Sequence, residues 1–166
     1  MRFLNKEQIN QAVIRAYEKG EREGLMIEIL ANTGLRVSEL INLEPQNINI
    51  SERILYVKGK GGKIRNVDIT PRLAINIDRY IKSHKIGNRK KLFPITRQRV
   101  WQLTKEIANA NPHAFRHSFA IELLRKTGNI RYVQIQLGHT TLGITQVYLR
   151  YMEFSQEKNK LNQLYQ

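Results

Sequence analysis

Several side chains of this sequence are suited to the exchange of a phosphodiester bond. That chemistry needs a nucleophile, fixed positive charge at the non-bridging oxygens, and an acid that protonates the departing 5′ oxygen. Arginine suits the second role because its planar guanidinium stays charged and can bind two phosphate oxygens at once. The candidates, in chain order, are Arg36, Lys60, His113, Arg116, His139 and Tyr148. Metal ions are optional if these side chains supply the positive charge.

Taken singly, these residues also have ordinary structural interpretations. An arginine such as Arg36 is usually solvated or salt-bridged, and His113 could be a cap or a surface residue, an interpretation that the neighbouring His117 favours. His139 follows a glycine and could lie at a helix end. Tyr148 would ordinarily be a core residue, because a phenol with a pKa of about 10 is a poor nucleophile unless cations stabilise the phenolate. The chemical interpretation therefore depends on all of them occurring together.

The elements that must position these residues are predicted to be mainly helical. Asn5 is a predicted helix cap with Gln8 as its capping-box partner, and Gly34 is predicted to end a later helix. Ser38 is predicted to open the next turn, which places Arg36 at the corner between two helices. Apolar residues recur at helical spacing in the segments 4–17, 24–30, 71–81, 96–108, 113–126, 130–137 and 144–151.

One β-hairpin interrupts this helical pattern. Alternating apolar residues in 53–58 and 64–69 flank the glycine-rich segment 59–62, so we expect an antiparallel hairpin with Lys60 near its tip. A separate polar last helix is predicted to follow residue 151. The predicted fold class is mainly α with a small antiparallel β-sheet. Because there is no repeat, low-complexity tract or long linker, residues 1–166 are expected to form a single domain.

The composition favours a polyanionic partner. The chain has 28 Lys and Arg against 14 Asp and Glu, a formal net charge of +14, and nucleic acid is the leading candidate. An anionic membrane or an acidic protein is the alternative, but no apolar run approaches the roughly 20 residues that span a bilayer. The absence of cysteine excludes disulfides and thiolate chemistry. The polar beginning MRFLNKEQINQ is unlike a secretory signal, so an intracellular location is the default.

Five short segments together resemble the catalytic domain of the tyrosine recombinases, the phage integrase family. TGLRVSEL at 33–40 resembles the first-arginine box, and GKGGKIR at 59–65 resembles the lysine segment of the β-hairpin. HAFRHSFA at 113–120 is similar to the His-x-x-Arg helix, while LGH at 137–139 and TQVY at 145–148 match the last histidine and nucleophile boxes. Their order and spacing agree across nearly the whole chain, which implies the DNA breaking-rejoining enzyme fold of this family.

The resemblance implies a role for each residue. Arg36, Arg116 and His139 would cradle the scissile phosphate while Tyr148 attacks it, and Lys60 would be the general acid. The product would be a 3′-phosphotyrosyl link, which a free 5′ hydroxyl later reverses. Because one phosphodiester is exchanged for another, the bond energy is kept, and neither ATP, a divalent metal nor any other cofactor is expected.

Two further roles follow from the resemblance, and two assignments have rivals. His113 would contact the phosphate or assist proton transfer, and Glu39 would orient the arginine cluster. Lys58 and Lys63 lie on the same hairpin as the proposed acid, so this run could instead be a basic surface that follows phosphates. Tyr151 lies three residues past the proposed nucleophile and is its rival, although the TQVY register favours Tyr148.

The resemblance also implies partners. Double-stranded DNA would be the substrate, bound by a homotetramer that is monomeric when free, with accessory DNA-bending proteins as further partners. The polar segment 152–166, with its spaced Phe154, Leu161 and Leu164, would dock onto a neighbouring protomer or form a frayed tail. The N-terminal DNA-clamping (core-binding) domain common in the family is expected to be absent from this chain. The rival functions are a type IB topoisomerase and a non-catalytic basic DNA-binding module.

Overall fold

The computed structural model describes residues 3–164. The side chains that fall outside this description are those of Lys60, Leu142, Ser155, Asn162 and Leu164. The helices are α1 (Lys6–Lys19), α2 (Glu21–Thr33), α3 (Val37–Leu40), α4 (Pro71–Ser83), α5 (Arg97–Ala108), α6 (Pro112–Thr127), α7 (Ile130–Leu137) and α8 (Leu142–Leu164). The strands β1 (Ile48–Asn49), β2 (Ile54–Lys58) and β3 (Ile64–Asp68) lie between α3 and α4. The predicted fold class, mainly α with a small antiparallel sheet, is confirmed.

Local side-chain caps determine where most helices begin. Asn5 forms the predicted capping box with Gln8 at the start of α1. The side chains of Thr70, Thr96, Asn111 and Asn129 accept backbone hydrogen bonds in the first turns of α4, α5, α6 and α7. None of the described helices has both the length and the apolar character needed to cross a membrane.

The sheet has the order β1-β2-β3, with antiparallel pairing throughout. Leu55 pairs with Val67 in the hairpin, and both side chains are fully buried, so the alternating pattern places one face of the sheet on the core. The turn with Lys60 joins β2 to β3, as predicted. The short strand β1, only two residues long, was not predicted because no alternation can be recognised over that length.

Two of the predicted boundaries are wrong. Ser38 does not open α3, because Arg36 is the N-cap residue and the carboxylate of Glu39 accepts a 2.8 Å hydrogen bond from the Arg36 backbone N–H. The predicted break after Tyr151 does not exist, and α8 continues to Leu164. No glycine or proline occurs between 144 and 164, so the helical hydrogen bonds of α8 continue without interruption.

The buried apolar side chains form two clusters. The larger cluster contains side chains from helices α1 through α5 and from the sheet, and it extends to Phe115 at the start of α6. The smaller cluster lies among α6, α7 and α8 and includes Ala120, Leu137 and Tyr148. Helix α6 therefore belongs to both clusters, and Arg116 lies on it between them.

Candidate active site

Arg116 joins two corners of the chain, one after α2 and one after α7, and each corner carries another candidate residue. Its guanidinium is buried and donates to the carbonyl of Gly34 at 2.6 Å and to that of Leu137 at 2.8 Å. Gly34 ends α2 with a left-handed φ of 62°, two residues before Arg36. Leu137 ends α7, two residues before His139. The two hydrogen bonds thus place both corners next to α6.

The guanidiniums of Arg36 and Arg116 lie close enough for the charge of one to affect the pKa of the other. Burial and then the charge of Arg36 lower the pKa of Arg116 to about 10, against the opposing effects of Glu39 and Tyr148. The guanidinium stays charged at neutral pH because this value is well above 7. The arrangement is typical of a site that holds an anion, since a second cation beside the buried Arg116 guanidinium is otherwise unfavourable.

Glu39 is the buried counter-charge of the site. It accepts hydrogen bonds from Arg65 at 2.7 and 3.0 Å and from the Arg36 side chain at 3.1 Å. Burial disfavours its ionised form, but Arg65 and then Arg36 outweigh burial and hold the pKa of Glu39 below its ordinary value. The Arg36 side chain is 38% exposed against 11% for Arg65, so Arg36 is the arginine of this pair that a ligand can reach.

His139 follows the left-handed Gly138 that ends α7. Its Nδ1 lies 2.9 Å from Oγ1 of Thr145, which is fully buried in α8. Burial, followed by the charges of Arg116 and Arg36, lowers the pKa of His139 to about 4. The imidazole is therefore neutral at pH 7.

Tyr148 extends from α8 toward the same point. Its side chain is only 2% exposed, and its Oη lies 2.9 Å from Nδ1 of His117. Its ring stacks on His139 with ring centroids 6.3 Å apart and an angle of 14° between the planes. Burial raises the pKa of Tyr148, while the charge of Arg116 opposes that increase. The phenol is thus protonated and within the field of the buried guanidinium.

The other candidates differ in position. His113 is exposed at the start of α6, where its ring contacts the edge of Trp101, yet its charge reaches His117. The backbone of Lys60 lies in the hairpin turn, but its side chain is outside the described residues, so its role stays a prediction. The ring of the rival nucleophile Tyr151 packs against that of Phe3, with the ring centroids 4.4 Å apart.

The structure thus brings Arg36, Glu39, Arg116, His139 and Tyr148 together, with His113 at the edge. Within the described part of the chain, no three His, Asp or Glu side chains are arranged to hold a metal ion.

Three residues at this site were missed from the sequence. Arg65 donates to Glu39 and, through Nε, to the carbonyl of Gln136 at 3.0 Å, so it joins β3 to α7. His117 is hydrogen-bonded to the proposed nucleophile, and Thr145 to His139. The spacing of His113 and His117 could have identified His117, because residues four apart share a helix face. No sequence signal distinguishes Arg65 from the other basic residues of the hairpin.

Known proteins are similar to this chain over nearly its whole length. The model of the phage integrase family matches residues 2–153. Tyrosine recombinase XerA of Pyrococcus horikoshii is 40% identical over 146 residues, which cover 78% of this chain and 50% of that protein. A tyrosine recombinase of Pseudothermotoga lettingae is 37% identical over 180 residues, covering 99% of this chain and 61% of the relative. The chain spans about half the length of the curated relatives it matches.

Solved structures agree with the fold. The crystal structure of XerA recombinase aligns with a TM-score of 0.81 and 26% identity, over 94% of this chain and 64% of that one. The catalytic domain of bacteriophage HP1 integrase aligns with a TM-score of 0.74 over 91% of this chain and 88% of that domain. At 22% identity, the second similarity concerns the fold alone.

Proposed function

This chain belongs to the phage integrase family, and we propose that it is the catalytic part of a site-specific DNA recombinase. It would cut and rejoin DNA by transesterification, through a 3′-phosphotyrosyl intermediate on Tyr148, without a metal ion or other cofactor. The observation that supports this most strongly is the meeting of Arg36, Arg116, His139 and Tyr148 at one point between α3, α6 and the α7–α8 corner.

The proposed roles follow from charge and reach. Arg36 and Arg116 would stabilise the negative charge that grows on the non-bridging oxygens as Tyr148 attacks the phosphorus. A scissile phosphate near Arg116 would also stabilise the bound state of DNA, because it relieves the repulsion between the two guanidiniums. His139, neutral at pH 7, would hydrogen-bond a phosphate oxygen without adding charge.

The remaining roles are assigned by family resemblance. Lys60 would protonate the departing 5′ oxygen, and His113 would contact the phosphate from the exposed edge of the site. Glu39 would orient the arginines, a role supported by its hydrogen bonds to Arg36 and Arg65. The net charge of +14 supports double-stranded DNA as the substrate, with binding that weakens as salt rises.

Assembly on DNA is proposed from the exposed apolar residues of α8. Val147, Phe154 and Leu161 are 42%, 66% and 54% exposed, and their spacing of seven residues places them along one face of the helix. We propose that this face docks onto a neighbouring protomer in a homotetramer on DNA, that the free protein is monomeric, and that accessory DNA-bending proteins assist. If deletion of the residues after Tyr151 leaves assembly on DNA unchanged, the docking role of α8 is wrong.

A covalent-adduct assay tests the chemistry. The protein is incubated with nicked duplexes of randomised sequence, and the DNA that stays linked to protein on a denaturing gel is sequenced to recover the site. We expect an adduct from the wild type and from Tyr151→Phe, and none from Tyr148→Phe. An adduct in Tyr148→Phe would assign the nucleophile to Tyr151. Absence of any adduct from the wild type would contradict the recombinase proposal and leave a DNA-binding module. Relaxation of supercoiled plasmid without strand exchange would indicate a topoisomerase.

A further inference from the structure

His117 makes the one hydrogen bond that the described residues offer to the phenol of Tyr148, through Nδ1 at 2.9 Å. The two side chains come from different helices, α6 and α8, whose packing in the smaller apolar cluster fixes their separation. Resting on the proposed function, we propose that His117 is a catalytic residue that accepts the phenol proton as Tyr148 attacks DNA.

The hydrogen bond has a direction that suits this role. A neutral imidazole has one unprotonated nitrogen, and the protonated phenol has one hydrogen to donate. Burial, with the neighbouring charges of His113 and Arg116, lowers the pKa of His117, so the ring is neutral at pH 7. We assign the single N–H of the neutral ring to Nε2, so that the phenol donates to the unprotonated Nδ1.

The neighbouring groups are worse placed to take this proton. Nδ1 of His139 lies 2.9 Å from Thr145, and its ring presents a face, not a nitrogen, to Tyr148. Arg36 and Arg116 cannot accept a proton, because a guanidinium has no lone pair available. His117 is thus the base within hydrogen-bond distance of the reacting oxygen in the described part of the chain.

The step balances in both directions. The Tyr148 proton moves to Nδ1 of His117, the Oη–P bond forms, the bond from phosphorus to the 5′ oxygen breaks, and that oxygen leaves with a proton from the general acid assigned to Lys60. In rejoining, the incoming 5′ hydroxyl loses its proton to that same lysine as its oxygen bonds to phosphorus, the Oη–P bond breaks, and the phenolate recovers its proton from His117. No oxidant, reductant or metal takes part.

The charges of the site couple this step to DNA. A protonated His117 would place a positive charge beside Arg116, which is unfavourable in the absence of an anion. The scissile phosphate offsets that charge, so the proton transfer becomes favourable only with DNA in place. The phenol would stay protonated, and unreactive, in the free protein.

The test combines His117→Asn with a more acidic phenol. Asparagine keeps an amide oxygen near the position of Nδ1 but cannot take a proton. The phenol of 3,5-difluorotyrosine at position 148 is more acidic, so its attack depends less on a general base. We expect His117→Asn to slow single-turnover adduct formation by about 10²- to 10⁴-fold with natural tyrosine. With the fluorinated residue, the same substitution should cost at least about tenfold less. His84→Asn, which changes an exposed histidine at the C-cap of α4, is the matched control and should leave the rate unchanged.

Several outcomes would overturn the inference. An equal loss with both tyrosines would mean that His117 only positions the phenol, and an unchanged rate in His117→Asn would remove its role altogether. If that variant does not fold, His117→Gln takes its place. A second measurement needs no activity: ¹⁵N NMR of the wild type should show Nδ1 of His117 unprotonated, and a proton on Nδ1 would contradict the proposal. If the wild type forms no adduct, the proposed function fails, and the NMR result still decides the protonation of His117.

Discussion

Two parts of the candidate site are held in different ways. The arginine cradle, formed by Arg36, Glu39, Arg65 and Arg116, is fixed by charge-assisted hydrogen bonds to a buried carboxylate and to backbone carbonyls at the C-terminal ends of α2 and α7. Tyr148 is held by one hydrogen bond to His117, by ring stacking, and by a small apolar cluster. A buried charge that loses its partner is strongly unfavourable, whereas a neutral phenol that loses one hydrogen bond is not.

This difference separates stability from chemistry. Changes in the cradle are expected to damage both the fold and the proposed reaction, because Arg116 joins α2 and α7 to α6 and Arg65 joins β3 to α7. Changes at Tyr148 are expected to abolish the reaction and leave the fold nearly intact. The free energy of unfolding of matched variants, measured by chemical denaturation, tests that separation.

The largest loss of stability is expected from Glu39→Gln. Glutamine keeps the shape of the side chain but removes the charge that compensates Arg36 and Arg65, and breaking a buried ion pair costs about 3–5 kcal/mol. Glu106→Gln is the matched control, because Glu106 also pairs with two cations but is exposed, and it should change stability little. Equal losses in the free energy of unfolding from the two substitutions would show that the cradle contributes no more to stability than an exposed ion pair.

The next largest effect is expected from Gly138→Ala, because a methyl group there would lie 2.8 Å from Cδ of Arg65 and would displace it from the cradle. Gly128→Ala is its control: the two glycines have left-handed φ values of 66° and 63°, but no atom lies within 4 Å of the added group at Gly128. The control should cost about 1 kcal/mol for backbone strain, and Gly138→Ala about 2–3 kcal/mol. If both substitutions cost the same, the contact with Arg65 does not contribute to stability.

The same residues show which features of the structure can be predicted from the sequence. Helix starts such as Asn5 and stops such as Gly34 were predictable, because caps act through hydrogen bonds only a few residues apart. The chemical residues were predictable as a set because their order and spacing resemble a family. Arg65 was not, because its bonds to Glu39 and to Gln136 span 26 and 71 residues of chain.

His117 was missed as the partner of Tyr148 for a similar physical reason. Its spacing from His113 indicates a shared helix face, but its orientation toward Tyr148 depends on how α6 packs against α8. Local rules thus predict the elements, and packing between distant elements determines which side chains meet at the site.

A smaller, pH-dependent effect is expected from His139. Burial lowers its pKa from 6.5 to about 4, so the folded state disfavours protonated His139. The unfolded chain therefore binds the proton first, and stability falls as pH drops from about 6.5 to about 4. Because the ring is only half-buried, solvent screening reduces the contribution to about 1 kcal/mol. His139→Gln should lose less stability than the wild type between pH 7 and pH 4.5. An identical pH dependence in the two proteins would contradict this assignment.

The smallest effect on stability is expected from Tyr148→Phe, which should abolish the covalent adduct. The substitution removes one hydroxyl and leaves Nδ1 of His117 without its partner, a loss of at most about 1 kcal/mol, while the ring keeps its stacking on His139 and its place in the apolar cluster. Denaturation curves of the two proteins should nearly coincide. A loss as large as that of Glu39→Gln would mean that the nucleophile is as much a structural residue as the cradle, and that the contrast between the two parts of the site does not hold.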